Sequence, residues 1–303
     1  MPDQILISGT GALACLFGAR LAAQGYAVTM LGTWKEGLAA LRQHGVTLVE
    51  EDGSQRSFPV NATSSPAECD GIPYALVLVK SWQTERAARQ LAECLPPDGL
   101  ALTLQNGLGN QQILSEALGE ARVAIGVTTT GATLLSSGRV RPGGEGVVSI
   151  GQHPRLTALC QILETAGFNL KVMEDVDALI WGKLVINAAI NPLTALLQMP
   201  NGQLLERASA HQLSADLARE VAAVAAAQGI KLSFDDPAAA ADGVSMRTAL
   251  NNSSMFQDVL RGAPSEINAI CGQVVQIGQA HGVDTPVNYT MWNLINAIVE
   301  GRQ

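Results

Sequence analysis

The hydrophobic and polar positions follow different patterns in the two halves of the chain. In the first half, short runs that are apolar throughout alternate with longer stretches of mixed polarity; the runs cover residues 4–8, 27–31, 74–79 and 100–104. Strands that are apolar on both faces are typical of a parallel sheet covered by helices. The alternation therefore predicts a doubly wound α/β domain with helices over residues 12–24, 84–94 and 111–118.

The pattern changes twice further along the chain. Residues 121–151 combine β-branched residues and glycines with turn signals, which predicts antiparallel strands that close the sheet. After about residue 173 the strand pattern stops, and Ala-rich stretches predict helices over residues 177–190, 203–228, 237–250, 266–281 and 286–300. We therefore predict an α/β domain over residues 1–172 and an all-α domain over residues 173–303.

Composition and charge exclude several classes of partner. The 303 residues carry a net charge of −8, and proteins that bind duplex nucleic acid usually have the opposite balance. The 5 cysteines are widely spaced and the first residues are not basic like a signal peptide, so we expect a reduced, cytoplasmic protein. The 4 histidines lie far apart and no apolar run reaches about 18 residues, so we expect neither a metal site nor a membrane span.

A glycine-rich motif follows the first predicted strand and opens the first predicted helix. The residues Gly9-Thr10-Gly11-Ala12-Leu13-Ala14 match the pattern G-x-G-x-x-G/A. In this pattern the first glycine allows a tight turn, the second lets the backbone approach a pyrophosphate, and the small third residue lets the helix pack on the strand. The motif predicts a Rossmann-type dinucleotide site, although a tight turn without a ligand would look the same.

The end of the second predicted strand bears on the choice of dinucleotide. An NAD site usually places an acidic residue there to hold the ribose 2′-hydroxyl. This chain has Thr33-Trp34-Lys35 instead, and the first acid is Glu36. Thr33 could bind a 2′-phosphate and Lys35 could supply positive charge, so we favour NADP over NAD, while a solvated Lys35 is the plainer interpretation.

One predicted helix of the second half carries a narrow polar stripe. Lys183, Asn187 and Asn191 are each four residues apart in a segment that is otherwise apolar, so they share one face of the helix. Such a helix is buried except towards a cleft, and burial lowers the pKa of a lysine. A lysine with a lowered pKa can donate a proton near neutral pH. A narrow solvent-facing stripe is the alternative.

Other candidates stand where predicted strands and helices end. Lys80 and Asn106 follow the strands at 74–79 and 100–104, and the carboxyl ends of parallel strands form the edge where ligands bind. Lys80 could equally be a lysine that marks where the strand meets solvent. Asn106-Gly107 is a favoured turn pair, so a turn would also explain Asn106. The polar segment 251–254 and the Ser265-Glu266 pair are more simply explained as residues at the ends of helices, with Ser265 as an N-cap.

Taken in order, these segments resemble the ketopantoate reductase family over essentially the whole chain. The resemblance is carried by GTGALA at 9–14, VLVKSWQ at 77–83, QNGLG at 105–109, RVRPGGEG at 139–146, WGKLVINAAINPLTALL at 181–197, PNG at 200–202, NNSSMFQDV at 251–259 and SEIN at 265–268. The resemblance implies a Rossmann domain, a helical domain, an active site in the cleft between them, and reduction of ketopantoate to pantoate with NADPH for pantothenate and coenzyme A synthesis.

The resemblance also implies roles for individual residues. Lys183 matches the catalytic lysine that polarises the keto oxygen and protonates the alkoxide, and Glu266 matches its partner carboxylate. Asn106 and Lys80 match residues near the nicotinamide and its ribose. Substrate contacts are implied for Asn106, Asn187, Asn191, Asn201, Asn251 and Ser254. The chain departs from the family at the end of the second strand, where Thr33-Trp34 stand in place of a common basic residue.

Three further interpretations stay open at this stage. The family includes relatives that act on other 2-keto acids, and β-hydroxyacid or polyol-phosphate dehydrogenases share the same domain types. A phosphate substrate would call for a basic cluster, which segment 173–260 lacks. A non-catalytic cofactor sensor would not need Lys183, Glu266 and the asparagines together. The apolar composition of the helical domain is also compatible with a homodimer.

Overall fold

The computed structural model describes residues 4–300, which divide into two compact units. The first unit contains residues 4–105 and 110–176, and the second contains residues 106–109 and 177–300. The segment 106–109 therefore belongs to the second unit, although its sequence neighbours on both sides belong to the first.

The first unit contains two sheets, one long and one short. Its strands are β1 (Gln4–Ser8), β2 (Ala27–Leu31), β3 (Val46–Val49), β4 (Gln55–Phe58), β5 (Asn61–Thr63), β6 (Tyr74–Val77), β7 (Leu100–Thr103), β8 (Val123–Thr128), β9 (Ala132–Ser136), β10 (Arg139–Pro142), β11 (Val147–Gly151) and β12 (Asn169–Met173). Eight of them form one sheet in the order β12-β11-β8-β7-β6-β1-β2-β5. All neighbours in this sheet are parallel except β8 and β11.

Helices cover both faces of this sheet, as its apolar strands predict. The helices are α1 (Ala12–Ala23), α2 (Lys35–His44), α3 (Thr84–Cys94), α4 (Asn110–Leu118) and α5 (Thr157–Thr165). Successive residues of β1 alternate between two hydrophobic clusters, with Ile5 and Ile7 in one and Leu6 in the other. The first cluster includes residues of α1 and α5, and the second includes residues of α3 and α4. The doubly wound α/β architecture is confirmed.

The prediction for residues 121–151 was wrong in part. β8 and β11 extend the main sheet, but the hairpin β9–β10 between them joins β3 and β4 in a separate four-stranded sheet. This small sheet packs against α1, where Val140 is fully buried with Val46. The sequence pattern of a strand does not specify its partner, so one sheet was predicted where the structure has two. The elements α2, β3–β5, α5 and β12 were not predicted.

The second unit is helical, as predicted. Its helices are α6 (Asp177–Leu197), α7 (Gln203–Glu206), α8 (Ala208–Ala227), α9 (Pro237–Arg247), α10 (Ser254–Leu260), α11 (Gln273–His281) and α12 (Pro286–Glu300), with a π turn at Asn268–Gly272. Their apolar faces enclose one core in which α6 packs against α8, α9, α10 and α12. Glu220 on α8 accepts hydrogen bonds from the backbone N–H groups of Val287 and Asn288, which fixes the start of α12.

Several predicted helix boundaries need correction. The helix predicted over 177–190 continues through Pro192 to Leu197, because the segment after the proline is apolar and buried in the core. Arg207 separates α7 from α8, so residues 203–228 are two helices. The helix predicted from 266 begins at Asn268 as a π turn and becomes α-helical at Gln273. The helix predicted to reach residue 250 ends at Arg247, and α10 was not predicted.

Helix α6 has the length and composition of a membrane-spanning segment. Its most apolar 18-residue window has a mean hydropathy of 1.3. However, 67% of that window is buried in the structure, and the helix carries the polar stripe of Lys183, Asn187 and Asn191. The high hydropathy of α6 is accounted for by its central position in a helical core.

Candidate active site

The glycine-rich turn between β1 and α1 has a backbone that requires glycine at its first position. Gly9 has a φ of 131°, and its N–H donates to the Leu31 carbonyl at 2.8 Å. A Cβ at Gly9 would lie 3.1 Å from the Leu78 carbonyl oxygen, closer than nearly all real Cβ contacts. The neighbouring strands β2 and β6 therefore hold this turn tightly from both sides.

The start of α1 has the properties of an anion site. Gly11 is the N-cap residue, no side chain caps the helix, and its first turn contains no acidic residue. A Cβ added at Gly11 would meet nothing within 4 Å, so the backbone is open to a ligand there. Ala14 is fully buried in the core, as the packing of helix on strand requires. The motif from Gly9 to Ala14, with Thr10, Ala12 and Leu13 between, thus fits a dinucleotide pyrophosphate.

The end of β2 presents polar groups in the same unit. Thr33, Trp34 and Lys35 are all exposed, and α2 begins at Lys35. Lys35 is therefore an exposed residue at the start of a helix, with Glu36 in the first turn. Residues 33–35 thus present a hydroxyl and an ammonium group, and none of the three is an arginine.

A partly buried polar network joins the ends of β6 and β7, and it was not predicted from the sequence. Gln105 donates from Nε2 to the Val79 carbonyl at 3.0 Å and to Thr84 Oγ1 at 2.9 Å. Thr84 Oγ1 in turn donates to Asn110 Oδ1 at 2.8 Å. Lys80 lies between these residues in sequence, at the N-cap of a short 3-10 turn. The sequence signal was the pair of amides at 105–106 and the threonine at 84, of which only Asn106 was interpreted, as a ligand contact or a turn residue.

The stripe on α6 is buried to different degrees along its length. Asn191 is 8% exposed, whereas Lys183 and Asn187 are partly buried. Burial lowers the pKa of Lys183 from 10.5 to about 8, and the negative charge of Glu266 acts in the opposite direction. The direction of this shift is the one predicted from the burial of the polar stripe.

Glu266 lies beside Lys183 in the helical unit and is itself buried. Its side chain is 4% exposed, and its Oε2 accepts a hydrogen bond from Asn106 Nδ2 at 3.1 Å. Asn106 belongs to the short segment 106–109 that packs with the helical unit. Three candidates that are far apart in sequence, Lys183, Glu266 and Asn106, are thus brought together.

A second cluster of polar residues surrounds Asn201 in the same unit. Its backbone N–H donates to the Asn251 carbonyl at 3.0 Å, and its Nδ2 donates to Thr248 Oγ1 at 2.9 Å. Its Oδ1 is buried and has no hydrogen-bond partner among the described residues. Asn251 and Ser254 are exposed.

Ser253, which was not a candidate, stabilises the start of α10 beside the candidate Ser254. Its hydroxyl caps α10 by accepting from the Phe256 N–H at 3.1 Å and is hydrogen-bonded to Thr194 Oγ1 at 2.7 Å. The pair Ser253-Ser254 therefore contains one buried cap and one exposed hydroxyl, and only the structure tells them apart.

The arrangement can supply a proton beside a polar binding surface. An ammonium group with a pKa of about 8 is largely protonated at neutral pH and still gives up its proton readily. The amides can orient a polar substrate, and the glycine-rich turn can hold a dinucleotide. Among residues 4–300, no group of three or more histidine, cysteine or acidic side chains is placed to hold a metal ion.

Comparison with known proteins identifies the family. Residues 5–155 match the family described as Ketopantoate reductase PanE/ApbA, and residues 175–299 match its C-terminal family. The chain is 34% identical over 299 residues to a 2-dehydropantoate 2-reductase of Halobacterium salinarum, covering 96% of this chain and 97% of that protein. A PanE/ApbA family ketopantoate reductase from Ralstonia eutropha JMP134 superposes with a TM-score of 0.92 at 31% identity, covering 99% of both chains.

A D-mandelate dehydrogenase with NADH and anilino(oxo)acetate is also similar in structure. Its TM-score is 0.92 at 25% identity, again covering 99% of both chains. Both matches to the ketopantoate reductase models, one in each unit, agree with the resemblance found in the sequence. The chain belongs to the ketopantoate reductase family, a family of NAD(P)-dependent oxidoreductases that act on small keto acids.

Proposed function

We propose that this protein reduces 2-dehydropantoate to pantoate with NADPH, in the synthesis of pantothenate. The observation that carries the proposal is the partly buried Lys183 beside the buried Glu266, to which Asn106 is hydrogen-bonded, in a family whose curated relatives are named 2-dehydropantoate 2-reductase. Reduction of a keto group needs a proton at the oxygen that becomes a hydroxyl, and this pair is suited to deliver it.

The pyrophosphate of the cofactor would be held by the first unit, and the nicotinamide would also reach Asn106 of the second unit. Gly9, Gly11 and the free N–H groups at the start of α1 would bind the pyrophosphate, and Lys80 and Asn106 would bind near the nicotinamide and its ribose. When bound, the nicotinamide supplies the hydride. The Thr33 hydroxyl and the Lys35 ammonium group favour NADPH, because they offer a hydrogen bond and positive charge to a 2′-phosphate and no acidic side chain competes at position 33 or 34.

Lys183 would act on the keto oxygen of the substrate. Hydride addition to the carbonyl carbon leaves negative charge on the oxygen, and a positioned ammonium group stabilises that charge and donates its proton. With a pKa of about 8, roughly nine in ten molecules carry that proton at pH 7. General acid catalysis of this kind contributes on the order of 10² to 10⁴ in rate.

The remaining polar residues would orient the substrate. Asn187 and Asn191 lie on the same face of α6 as Lys183, so a substrate on the ammonium group would meet their amides. Asn201 Oδ1 is a buried acceptor suited to a substrate hydroxyl. Asn251 and the Ser254 hydroxyl are exposed and available to a carboxylate.

A second candidate function is the reduction of a different 2-keto acid with NADH. It is favoured by the similarity to the D-mandelate dehydrogenase described with NADH, at 25% identity over the full length. The absence of a basic residue at positions 33 and 34 is also compatible with NADH. We favour 2-dehydropantoate because the curated relatives at 29–34% identity over nearly the whole chain carry that name.

We further propose a cytoplasmic protein that binds neither nucleic acid nor membrane. Its net charge of −8 supports the first of these exclusions, and the burial of α6 in its unit supports the second. A homodimer is compatible with the exposed apolar side chains of the helical unit, such as Leu294 and Tyr289 on α12.

The experiment is spectroscopic oxidation of NADPH and NADH with 2-dehydropantoate and a panel of other 2-keto acids. We expect the highest kcat/KM with 2-dehydropantoate and NADPH. A Lys183→Ala variant should lose at least about 100-fold in kcat while it still binds NADPH. A Lys35→Ala variant should raise the KM for NADPH and leave that for NADH unchanged. A higher kcat/KM with another keto acid would refute the substrate, and a preference for NADH would refute the cofactor.

A further inference from the structure

The π turn at Asn268–Gly272 begins two residues after Glu266 and changes the backbone hydrogen bonding of that segment. The N–H of Gln273 would bond to the Ala269 carbonyl in a regular α-helix. It donates instead to the carbonyls of Asn268 and Ile270. The carbonyl of Ala269 is therefore passed over by its usual partner, which is the kind of local irregularity that π turns often supply at functional sites.

A backbone group from a distant part of the chain occupies that carbonyl. Leu108 N–H donates to Ala269 O at 2.8 Å, although the two residues are far apart in sequence. Leu108 also packs against the hydrophobic core of the helical unit. The segment 106–109 is thus tied to the π turn by a hydrogen bond and by apolar contact, and Asn106 at its start reaches Glu266.

The residue between Asn106 and Leu108 must be glycine for this contact to form. Gly107 has a φ of 79°, a left-handed conformation that other residues rarely adopt. A Cβ at Gly107 would overlap the carbonyl oxygen of Ala269, the same atom that accepts from Leu108. The close approach of two backbones therefore depends on Gly107 directly.

The outer side of the π turn is also fixed. Trp292 on α12 donates from Nε1 to Asn268 Oδ1 at 2.6 Å, and Asn296 donates to the same oxygen at 3.2 Å. A Cβ at Gly272 would lie 3.0 Å from the Trp292 indole. The π turn is consequently held between α12 on one side and the segment 106–109 on the other.

We propose that Gly107, Leu108 and the π turn form a backbone clamp that holds Asn106 on Glu266 and so fixes the carboxylate beside Lys183. Gly107 is a positioning residue in this scheme, because it acts only through the atoms that it brings together. The proposal rests on the proposed roles of Lys183 and Glu266. Backbone contacts of Gly107 and Leu108 would thus set the strength of the interaction between Glu266 and Lys183.

The charges around Lys183 make this interaction measurable. The elements packed against α6 carry several charged residues, which include Glu206, Arg219, Glu220, Asp242, Arg247, Asp258 and Glu300. The negative charge of Glu266 raises the pKa of Lys183, against the lowering that burial causes. If Glu266 loses its fixed position, the pKa of Lys183 should fall further below its ordinary value.

The test is a titration of the lysine side chains by NMR. The chain has lysine at only five positions, 35, 80, 171, 183 and 231, so selective ¹³Cε labelling gives a spectrum in which Lys183→Met assigns the signal of Lys183. In a Gly107→Ala variant we expect the Lys183 midpoint to fall by at least about half a pH unit, a threefold change in the proton-binding constant. Gly109→Ala is the matched control, because Gly109 also has a positive φ of 86° but a Cβ there would come no closer than 3.5 Å to Gln273. Its midpoint should stay at the wild-type value.

Two further variants separate the clamp from a general loss of structure. Gly272→Ala would displace the π turn from the Trp292 side and leaves the residues of segment 106–109 unchanged. The midpoint of Lys183 should again fall. In a Glu266→Gln background, Gly107→Ala should cause no additional change. An unchanged midpoint in folded Gly107→Ala and Gly272→Ala, or an equal fall in Gly109→Ala, would overturn the proposal. Because the titration needs no turnover, failure to reduce any 2-keto acid would refute the proposed function and leave this test decisive.

Discussion

The burial of Lys183 predicts a specific dependence of stability on pH. In the folded protein the pKa of Lys183 is about 8, against an ordinary value of 10.5. Below pH 8 folding has to desolvate a charged ammonium group, and this opposes stability. Between about pH 8 and pH 10.5 the unfolded chain holds the proton that the folded chain has released, so the free energy of unfolding rises with pH.

The size of this effect follows from the two pKa values. At about 1.4 kcal/mol per pH unit, the difference between 10.5 and about 8 corresponds to about 3 kcal/mol. A Lys183→Met variant keeps a chain of similar length and removes the titrating group. The free energy of unfolding of the wild type, minus that of the variant, should therefore rise by about 3 kcal/mol between pH 7 and pH 10.5.

The assay is urea unfolding of both proteins at several pH values. Taking the difference removes the contribution of shared groups that do not interact with Lys183, including the buried cysteines. A Lys231→Met variant controls for the loss of a lysine at an exposed position in the same unit. A difference between wild type and Lys183→Met that stays constant from pH 7 to pH 10.5 would refute the conclusion that burial lowers the pKa of Lys183.

Three other predictions concern catalysis, cofactor binding and the helical core. The kcat/KM for keto-acid reduction should fall above about pH 8 as Lys183 loses its proton, and a pH profile of Glu266→Gln should show that fall at lower pH. Gly11→Ala should weaken NADPH binding about tenfold in a fluorescence titration with an unchanged melting temperature, whereas Gly9→Ala should also cost about 1–3 kcal/mol of stability, because its φ is 131°. Glu220→Ala should cost about 2–4 kcal/mol in urea unfolding, because it leaves the start of α12 without its acceptors.

The sequence was sufficient for features that depend on local pattern. The strands at residues 4–8 and 27–31 and the helix at 84–94 have the predicted bounds, because each shows a clear apolar run or helical periodicity between turn residues. The polar stripe on α6 could also be predicted, since residues four apart in a helix necessarily share a face.

The features that the sequence could not supply depend on contacts between distant segments. The hairpin β9–β10 pairs with β3 rather than with the main sheet, and nothing in its own residues specifies that partner. The hydrogen bonds from Gln105 to Thr84 and from Asn106 to Glu266 join residues that a pattern search treats separately. The helix predicted over 177–190 stops before Pro192, but burial of the apolar residues that follow the proline outweighs the hydrogen bond that it removes.

The origin of segment 106–109 limits how the protein can be divided into pieces. A fragment that begins at Asp177 would contain Lys183 and Glu266 but would lack Asn106 and the N–H of Leu108. During synthesis these four residues leave the ribosome long before the helices with which they pack, so the second unit cannot be completed until the chain is nearly finished. A chimera that exchanges only the C-terminal half between relatives would therefore combine one protein's carboxylate with another protein's amide, and it should be designed with residues 106–109 moved together with that half.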